Sequence, residues 1–213
     1  MAQPAYQLVT DGKTLDSSEN FTGKAVATYP NGDVYDGDFV AGKRVSKSGK
    51  YTYATVPNPE GEKPPSDEYT GEWVDNERHG IGMMVYQGQG TYHGYWANGQ
   101  KCGEGVMKYL NGDIYSGNWK AGKKDGQGTY IFEETKMKFI GKFRAGEMVE
   151  GQWIYPNNSY FEGKFENCQP KGQGKWCFAN GNKVEGVYSQ TRTVEGAGDL
   201  KLSWKTTGNS KAQ

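Results

Sequence analysis

One short motif recurs along the chain and limits the folds that it can adopt. An aromatic-x-Gly-x-aromatic unit begins at Tyr35, Tyr69, Tyr92, Tyr115, Phe139 and Phe161, and a weaker copy begins at Val184. Successive copies start 34, 23, 23, 24, 22 and 23 residues apart. A second element, Gly-x-Gly-x-x-x-aromatic, follows several of the copies. A fixed period of this length is typical of repeat proteins, in which each unit buries its apolar side against its neighbours.

Each copy has the pattern of a β-hairpin. Successive side chains of a strand point to opposite faces, so the two rings of a copy and the glycine between them share one face. In the copy that starts at Tyr115, the expected cross-strand pairs are Tyr115 with Tyr130, Gly117 with Gly128, and Trp119 with Gly126. The glycines then form a shallow floor on which neighbouring rings lie flat.

Short turn sequences predict where one hairpin ends and the next begins. Pro30 and Pro156 fit the first central position of a type I turn, where the fixed φ of proline is favourable. Gly32 and Gly112 can take the left-handed conformation that closes a three-residue loop, and Asn158 replaces that glycine in one copy. A loop of constant length keeps the rings of all copies on the same face.

We therefore predict an all-β protein, a single-layer antiparallel meander of about seven hairpins that is elongated and twisted. The repeat domain is expected to span residues 21–204, between an N-terminal tail (1–20) and a C-terminal tail (205–213). Residues 54–68 form a proline-rich insertion, ATVPNPEGEKPPSDE. A disordered or extended hairpin loop is the expectation for it, and a docking arm for a partner is the alternative.

Charge and composition argue against several classes of function. Lys and Arg total 25, Asp and Glu also total 25, and the formal net charge is zero. Nucleic-acid binders and polybasic membrane anchors normally carry a basic excess, so we expect no nucleic-acid partner. The N-terminal segment lacks the regions of a signal peptide, and no stretch is apolar enough for a transmembrane helix. Three cysteines without C-x-x-C spacing favour a reducing intracellular compartment.

The sequence offers no convincing catalytic, cofactor-binding or metal site, and we expect no enzyme. His79 and His93 are the only histidines, and neither has acidic or cysteine partners at the spacing of metal ligands or of a catalytic triad. The segment GIGMMVYQGQG has the glycine spacing of a phosphate loop. No helical pattern follows it, and a phosphate loop needs a helix N-terminus. Glycines for close packing of strands are the better account.

The segments YTGEWVDNERHGIGMMVY and YSGNWKAGKKDGQGTYIF resemble MORN repeats, in which Y-x-G-x-W…G-x-G recurs about every 23 residues. The resemblance covers roughly residues 21–204. A small, neutral chain made almost wholly of such repeats is similar to the small MORN subunits of the ciliary radial spoke head, of the radial spoke protein ten type. This resemblance implies a structural scaffold or adaptor without a cofactor, with other radial spoke head subunits as protein partners. It also implies localisation in the cytoplasm and cytoskeleton, at the axoneme of a cilium or flagellum.

The rings of the repeats are the expected partner-binding residues, since a single-layer sheet has no second layer to cover them. These residues are Tyr35, Phe39, Tyr69, Trp73, Tyr92, Trp96, Tyr115, Trp119, Phe139, Phe143, Phe161 and Phe165. The alternative is that the sheet twists enough for the rings to cover one another.

A second function stays open, that of an adaptor at a membrane surface that binds acidic phospholipids. It requires basic residues gathered on one face. Lys120, Lys123, Lys124 and Lys142 form a modest cluster in the sequence, which Asp125, Glu133 and Glu134 offset. Membrane binding is therefore the less favoured expectation.

Overall fold

The computed structural model of the chain describes residues 5–192 and 200–210. The described residues fall into two compact units, one within Met1–Leu110 and the other within Asn111–Gln213. Each unit is an open antiparallel sheet of strands joined by turns, which confirms the predicted all-β meander. Within the described ranges no helix is long and apolar enough to span a membrane.

The first unit contains ten strands within residues 5–110, the part of it that the structure describes. They are β1 (Gln7–Thr10), β2 (Lys13–Leu15), β3 (Gly23–Thr28), β4 (Val34–Val40), β5 (Lys43–Arg44), β6 (Ser46–Thr52), β7 (Glu68–Val74), β8 (Glu77–Tyr86), β9 (Gly90–Ala97) and β10 (Gln100–Tyr109). From β3 onward each strand pairs antiparallel with strands close to it in sequence, and β5 and β6 together form the partner of β4.

The second unit contains eight strands over its described residues. They are β11 (Ile114–Lys120), β12 (Lys123–Ile131), β13 (Lys138–Arg144), β14 (Glu147–Ile154), β15 (Tyr160–Glu166), β16 (Gln169–Cys177), β17 (Lys183–Arg192) and β18 (Leu200–Ser210). Each pairs antiparallel with the next along the chain.

The sheets extend beyond both predicted domain boundaries. In the segment predicted as an N-terminal tail, β1 pairs with β2 and also with β3, where Leu8 stands opposite Ala27 and is fully buried. The predicted boundary at residue 21 is therefore too late. At the other end β18 continues to Ser210, past the predicted end at residue 204. Trp204 stands opposite Tyr188 in the last pair of strands.

Two kinds of turn alternate along the meander. Two-residue loops with positive φ at both residues close the hairpins at Ala41–Gly42, Asp75–Asn76, Asn98–Gly99, Ala121–Gly122, Ala145–Gly146 and Asn167–Cys168. Positive φ at both central residues gives a loop whose twist matches that of the strands. The turns at Gly32, Gly112 and Asn158 are the predicted three-residue loops, with φ of 87°, 87° and 63° at these residues. The N–H of Gly32 donates to the carbonyl of Tyr29 at 2.8 Å, as that turn requires.

The insertion is an extended loop between β6 and β7, without strands of its own. The N–H of Tyr53 donates to the carbonyl of Asp67 at 3.0 Å and closes its base. A turn at its tip is fixed by the side-chain oxygen of Asn58, which accepts from the N–H of Glu62 at 2.8 Å. The loop therefore leaves the sheet at one point and returns to it beside that point.

The cross-strand register differs from the prediction at one pair. Two predicted pairs are confirmed, Tyr115 with Tyr130 and Gly117 with Gly128. Trp119, however, stands opposite Lys124 and not opposite Gly126. The reason is a β-bulge after Gly117, where the returning strand carries two extra residues.

The bulge recurs and explains the Gly-x-Gly pair that four of the repeats contain. The first glycine of each pair lies in the bulge and has positive φ, namely 54° at Gly80, 57° at Gly103, 104° at Gly126 and 75° at Gly172. The second glycine lies under a ring. The hairpin β13–β14 lacks the first glycine, and its bulge holds one extra residue only. Only the second glycine therefore matches the sequence interpretation of close packing.

Candidate functional site

The twelve rings expected to bind a partner form the cores of the two units. All twelve side chains are less than a tenth exposed. Tyr69, for example, meets Trp73 at 5.4 Å and Trp96 at 5.3 Å between ring centroids, both edge to face. The expectation that these rings lie open to solvent is therefore wrong, because neighbouring rings cover one another. Their role in binding a partner stays a prediction.

Hydrogen bonds fix the first ring of four repeats to the bulge. Each phenol donates to the carbonyl three residues ahead, Tyr35 to Asp38 at 3.2 Å, Tyr69 to Glu72 at 3.1 Å, Tyr92 to Tyr95 at 3.1 Å and Tyr115 to Asn118 at 3.0 Å. Two indoles are held in a similar way, Trp73 by the carbonyl of Gly49 and Trp96 by that of Gly82. Burial raises the pKa of Tyr35, Tyr69 and Tyr92, so these phenols stay neutral and donate.

A second recurring position lies directly across the hairpin from the second ring of each repeat. The pairs are Phe39 with Arg44, Trp73 with Arg78, Trp96 with Lys101, Trp119 with Lys124, Phe143 with Met148, and Phe165 with Pro170. Directly opposite residues of an antiparallel pair share a face, so these side chains join the rings on what we call the aromatic face. Four of the six are basic.

The basic side chains of the first unit lie over the rings. The guanidinium carbon of Arg44 is 4.6 Å from the centroid of Trp73, and that of Arg78 is 4.5 Å from Trp96. The ammonium of Lys101 lies 5.3 Å from the ring of Tyr92. These are cation–π distances, and each of the three basic side chains keeps part of its surface exposed.

Hydrogen bonds hold the two arginines in place. One terminal nitrogen of Arg78 donates to the carbonyl of Gly99 at 2.7 Å, and the other donates to the hydroxyl of Tyr53 at 3.3 Å. Arg44 donates to the carbonyl of Asn76 at 2.7 Å. The charged groups are thus fixed in position rather than free to swing into water.

A second row of tyrosines flanks these cations. All three tyrosines are half-buried: Tyr29 comes directly after β3, Tyr53 comes directly after β6, and Tyr86 is the last residue of β8. Burial is the main cause that raises the pKa of each of the three phenols. We call the six residues Arg44, Arg78, Lys101, Tyr29, Tyr53 and Tyr86 the cation–tyrosine surface. It is the accessible layer above the buried rings of the first unit.

Sequence reasoning missed this surface, although a signal for it was present. In four repeats a basic residue stands five positions after the second ring, at Arg44, Arg78, Lys101 and Lys124. A spacing of five has the parity of the opposite face within one strand. Only a two-residue hairpin loop brings the basic residue back beside the ring, and those loops were not recognised.

The lysines proposed for phospholipid binding do not gather on one face. The ammonium of Lys124 lies 4.7 Å from the ring of Tyr130 on the aromatic face, and burial lowers its pKa. Lys142 is exposed and stands opposite Glu150. It lies on the face of β13 away from the buried rings, because its neighbour Phe143 is buried. Lys120 and Lys123 flank a hairpin loop. The four lysines are thus divided between the two faces, with Lys124 on the aromatic face and Lys120, Lys123 and Lys142 on the other.

The described residues hold no group of three or more His, Cys, Asp or Glu side chains that could bind a metal ion. His79 and His93 are exposed, and Glu72 stands opposite His79. Cys102, Cys168 and Cys177 are free thiols, of which Cys177 is buried.

Comparison with known proteins matches the repeats of this chain to one protein family. The family model described as MORN repeat matches residues 35–55, 69–91, 92–114, 115–134 and 161–183, which together make up more than half of the chain. A search of curated proteins gives no significant match. Among solved structures, the chain is similar to the TCP domain of SAS-4 (dCPAP) of Drosophila melanogaster in complex with a proline-rich motif of Ana2 (dSTIL). The two share 14% identity over 94% of this chain and 92% of that one, with a TM-score of 0.33.

Proposed function

The chain belongs to the MORN-repeat family, and on that premise we propose that it is a non-enzymatic scaffold that binds a partner protein on its aromatic face. A repeat architecture suits this role, because stacked hairpins present equivalent side chains at regular intervals. The finer assignment, also ours, is a component of the radial spoke head in the axoneme of a motile cilium or flagellum. Other spoke-head subunits would be the partners. Size and repeat content support this assignment.

The cation–tyrosine surface is the observation that carries the proposal. The twelve core rings already contact one another, so a partner meets the layer above them. That layer consists of half-buried tyrosines and fixed arginines in the first unit. Tyrosine and arginine are the residue types that most often dominate the energy of protein interfaces.

A matched pair of tyrosines tests which face binds. Tyr86 lies on the aromatic face, and Tyr95 is 47% exposed on the opposite face of the neighbouring strand. We expect Tyr86→Ala to lose capture of the partner from an axoneme extract and Tyr95→Ala to keep it. Circular dichroism should show the same fold for both variants. Equal capture by the two variants would overturn the assignment to the aromatic face.

The identity of the captured proteins tests the ciliary assignment. Mass spectrometry of material bound to the wild-type chain should find radial spoke head subunits. If only other proteins are captured, the assignment to the radial spoke is wrong, and the proposed scaffold function is unaffected. The phospholipid alternative has less support, since its lysines are divided between two faces. Co-sedimentation of the protein with vesicles of acidic phospholipid at low salt would support the phospholipid alternative.

A further inference from the structure

An apolar patch lies on the face of the first unit that is opposite to the aromatic face. Ile81 in β8 stands directly across from Tyr95 in β9, and Met83 stands across from His93. Val106 in β10 stands on the other side of His93. Residues directly across from one another share a face of the sheet, as do alternate residues of one strand. The apolar patch therefore consists of Ile81, Met83, Val85, Tyr95 and Val106.

The side chains of the patch face water. Ile81 is 46% exposed, Met83 is 42% exposed and Tyr95 is 47% exposed. Val85 and Val106 are half-buried beside them. Single exposed apolar side chains are common on proteins, whereas several on neighbouring strands are typical of a surface that another molecule covers.

Other repeats carry polar side chains at the same positions. The position of Tyr95, directly after the central glycine of the motif, holds Asp38, Glu72, Asn118, Lys142 and Lys164 in the other repeats. The position of Ile81, between the two glycines of a pair, holds Glu104, Gln127 and Gln173. The fold of the repeat therefore does not require apolar side chains at these positions, and the patch has a different role.

Two opposite charges border the patch on β10. Glu104, Val106 and Lys108 alternate along this strand, and the buried residues Gly105 and Met107 lie between them. Glu104 and Lys108 are exposed, and among the residues that the structure describes neither forms an ion pair. Four residues of a strand span about 13 Å, so the two charges of one chain are too far apart to pair with each other.

We propose that two copies of the chain pack back to back through the apolar patch and form a symmetric dimer. The two-fold axis runs between the two sheets, along the row of residues that begins at Met83 and ends at Val106. It places Met83 against Met83 of the second copy, and Ile81 against Val85 of the second copy. Apolar side chains then cover one another, as they do where two sheets pack face to face. The inference goes beyond the proposed function and does not depend on it.

The charges at the border of the patch fit a second copy of this chain. The same axis exchanges the two ends of β10, so Glu104 of each copy faces Lys108 of the other. Two ion pairs then form across one interface, and such complementarity fixes the orientation of the copies. At the other border Glu68 and Glu72 lie close to those of the second copy, and each already pairs with a lysine of β6.

The first unit has enough surface for such an interface. Strands β3, β4 and β6 to β10 form a sheet of seven neighbouring strands. At about 4.8 Å between strands and about 23 Å along them, one face measures roughly 780 Å². A stable interface buries about 800 Å² per partner. In the dimer the two aromatic faces point away from each other, so the scaffold presents two binding surfaces.

Sedimentation velocity of the full chain over a range of concentrations tests the dimer. We expect a wild-type dimer with a micromolar dissociation constant, and we expect Met83→Glu to weaken it about 100-fold, since each substitution occurs twice in a symmetric interface. Ile140→Glu is the matched control, because Ile140 is 41% exposed on the corresponding face of the second unit and its neighbours Thr129 and Gln152 are polar. This control should dimerise like the wild type. Circular dichroism shows whether both variants are folded.

Charge reversal tests the orientation of the two copies. Glu104→Lys and Lys108→Glu should each weaken the dimer about tenfold, because each places like charges across the interface. The double variant forms both ion pairs with their signs exchanged and should dimerise like the wild type. Both residues are exposed, so these variants give an independent result if Met83→Glu does not fold. A double variant that is weaker than either single variant would overturn the assigned two-fold arrangement.

Three outcomes would overturn the dimer itself or its location. One is a wild-type chain that stays monomeric at about 100 µM, a concentration about 100-fold above a micromolar dissociation constant. Another is a dimer that Met83→Glu leaves intact. If the wild type is monomeric and captures a protein from extract that Met83→Glu does not capture, another protein covers the patch in place of a second copy.

Dimerisation and capture of the partner of the aromatic face are separate in this arrangement. Tyr86→Ala should stay dimeric, and Met83→Glu should capture the partner like the wild type. Tyr95→Ala should weaken the dimer and still capture the partner, because its aromatic face is unchanged. Loss of the dimer in Tyr86→Ala together with an intact dimer of Met83→Glu would place the contact between copies on the aromatic face and overturn the proposal.

Discussion

Hairpin β7–β8 of the first unit and hairpin β15–β16 of the second have the same backbone and different side chains. The corresponding residues are Tyr69 and Phe161, Trp73 and Phe165, and Arg78 and Pro170. Both hairpins carry a bulge of two extra residues beside the glycine pair. In the first hairpin each of the three side chains donates a hydrogen bond. Their counterparts in the second carry no side-chain donor.

The comparison distinguishes the side chains that form the fold of the repeat from those that determine the chemistry of its accessible surface. Rings of the right volume above a glycine floor are common to both hairpins, so they are sufficient for the fold. Pro170 is fully buried, whereas Arg78 is partly exposed and charged. The polar groups are therefore additions, and they concentrate in the unit for which we propose a ligand.

Substitutions in the shared floor should give the largest effect. A Cβ at Gly82 would come within 2.5 Å of Tyr69 Cζ, and a Cβ at Gly174 within 2.7 Å of the carbonyl oxygen of Glu162. We expect Gly82→Val and Gly174→Val each to lower the free energy of unfolding by about 1–3 kcal/mol, measured with urea. Gly88→Val is the control, since a Cβ there meets nothing within 4 Å, and it should cost less than about 0.5 kcal/mol. A large loss of unfolding free energy in only one of the two variants would show that the glycine floor does not play the same role in both hairpins.

The turn before a repeat should give the next largest effect, and it depends on pH. Asp33 accepts hydrogen bonds from Asn31, Tyr51 and Ala54, whereas the equivalent position in the turn before β15 is Ser159. At pH 7 we expect Asp33→Ser to lower the free energy of unfolding by about 1.5–3 kcal/mol. Ser159→Ala should have a small effect at every pH.

The pH dependence follows from the pKa of this carboxyl group. Burial alone would raise it, but the bonds from Ala54, Tyr51 and Asn31 outweigh burial and hold the pKa below its ordinary 3.8. The carboxylate therefore stabilises the fold above pH 3.8, and this contribution is lost as the pH falls through the lower folded value. The difference between wild type and Asp33→Ser should shrink on acidification. A difference of constant size down to pH 2 would mean that the charge of Asp33 is irrelevant.

Removal or addition of the phenol hydroxyl should change the stability least. Tyr69→Phe removes the bond to the carbonyl of Glu72 and should cost about 0.5–1.5 kcal/mol. In Phe161→Tyr the new hydroxyl would lie near the bulge carbonyl of Lys164, three residues ahead, and the change should be in the opposite direction. Thermal melts of both variants measure this. Two changes of the same sign would show that the hairpins differ in more than their side-chain donors.

Local patterns in the sequence were enough to predict the hairpins, the turns at Gly32 and Asn158, and most of the register. These features depend on residues close together in the chain. The bulge could not be predicted, because alternation alone does not show that Trp119 faces Lys124 across two extra residues. Strands β1 and β2 carry no repeat motif, and the burial of Leu8 depends on its partner Ala27 in another strand.

The candidate site was harder to predict, since exposure is a property of packing. The two rings of each hairpin were correctly placed on one face of it, but the mutual coverage of the rings follows from cross-strand distances that a repeat period does not contain. For the same reason the repeat period does not show that Arg44 and Arg78 lie over rings. Their contacts with Trp73 and Trp96 require both the two-residue loop and the stacking of consecutive hairpins.

Pairing between strands that are near in sequence has a kinetic consequence. Within each unit nearly every contact of the meander closes a short stretch of chain, so little loop entropy is lost before the contact forms. Folding can then begin at any hairpin and spread to the next, as in other quasi-one-dimensional proteins. Terminal hairpins have one neighbour and interior hairpins have two. Amide hydrogen exchange should therefore be faster in β18, whose one partner among the described strands is β17, than in β8 or β14, each of which pairs on both sides, a gradient that a single unfolding midpoint would hide.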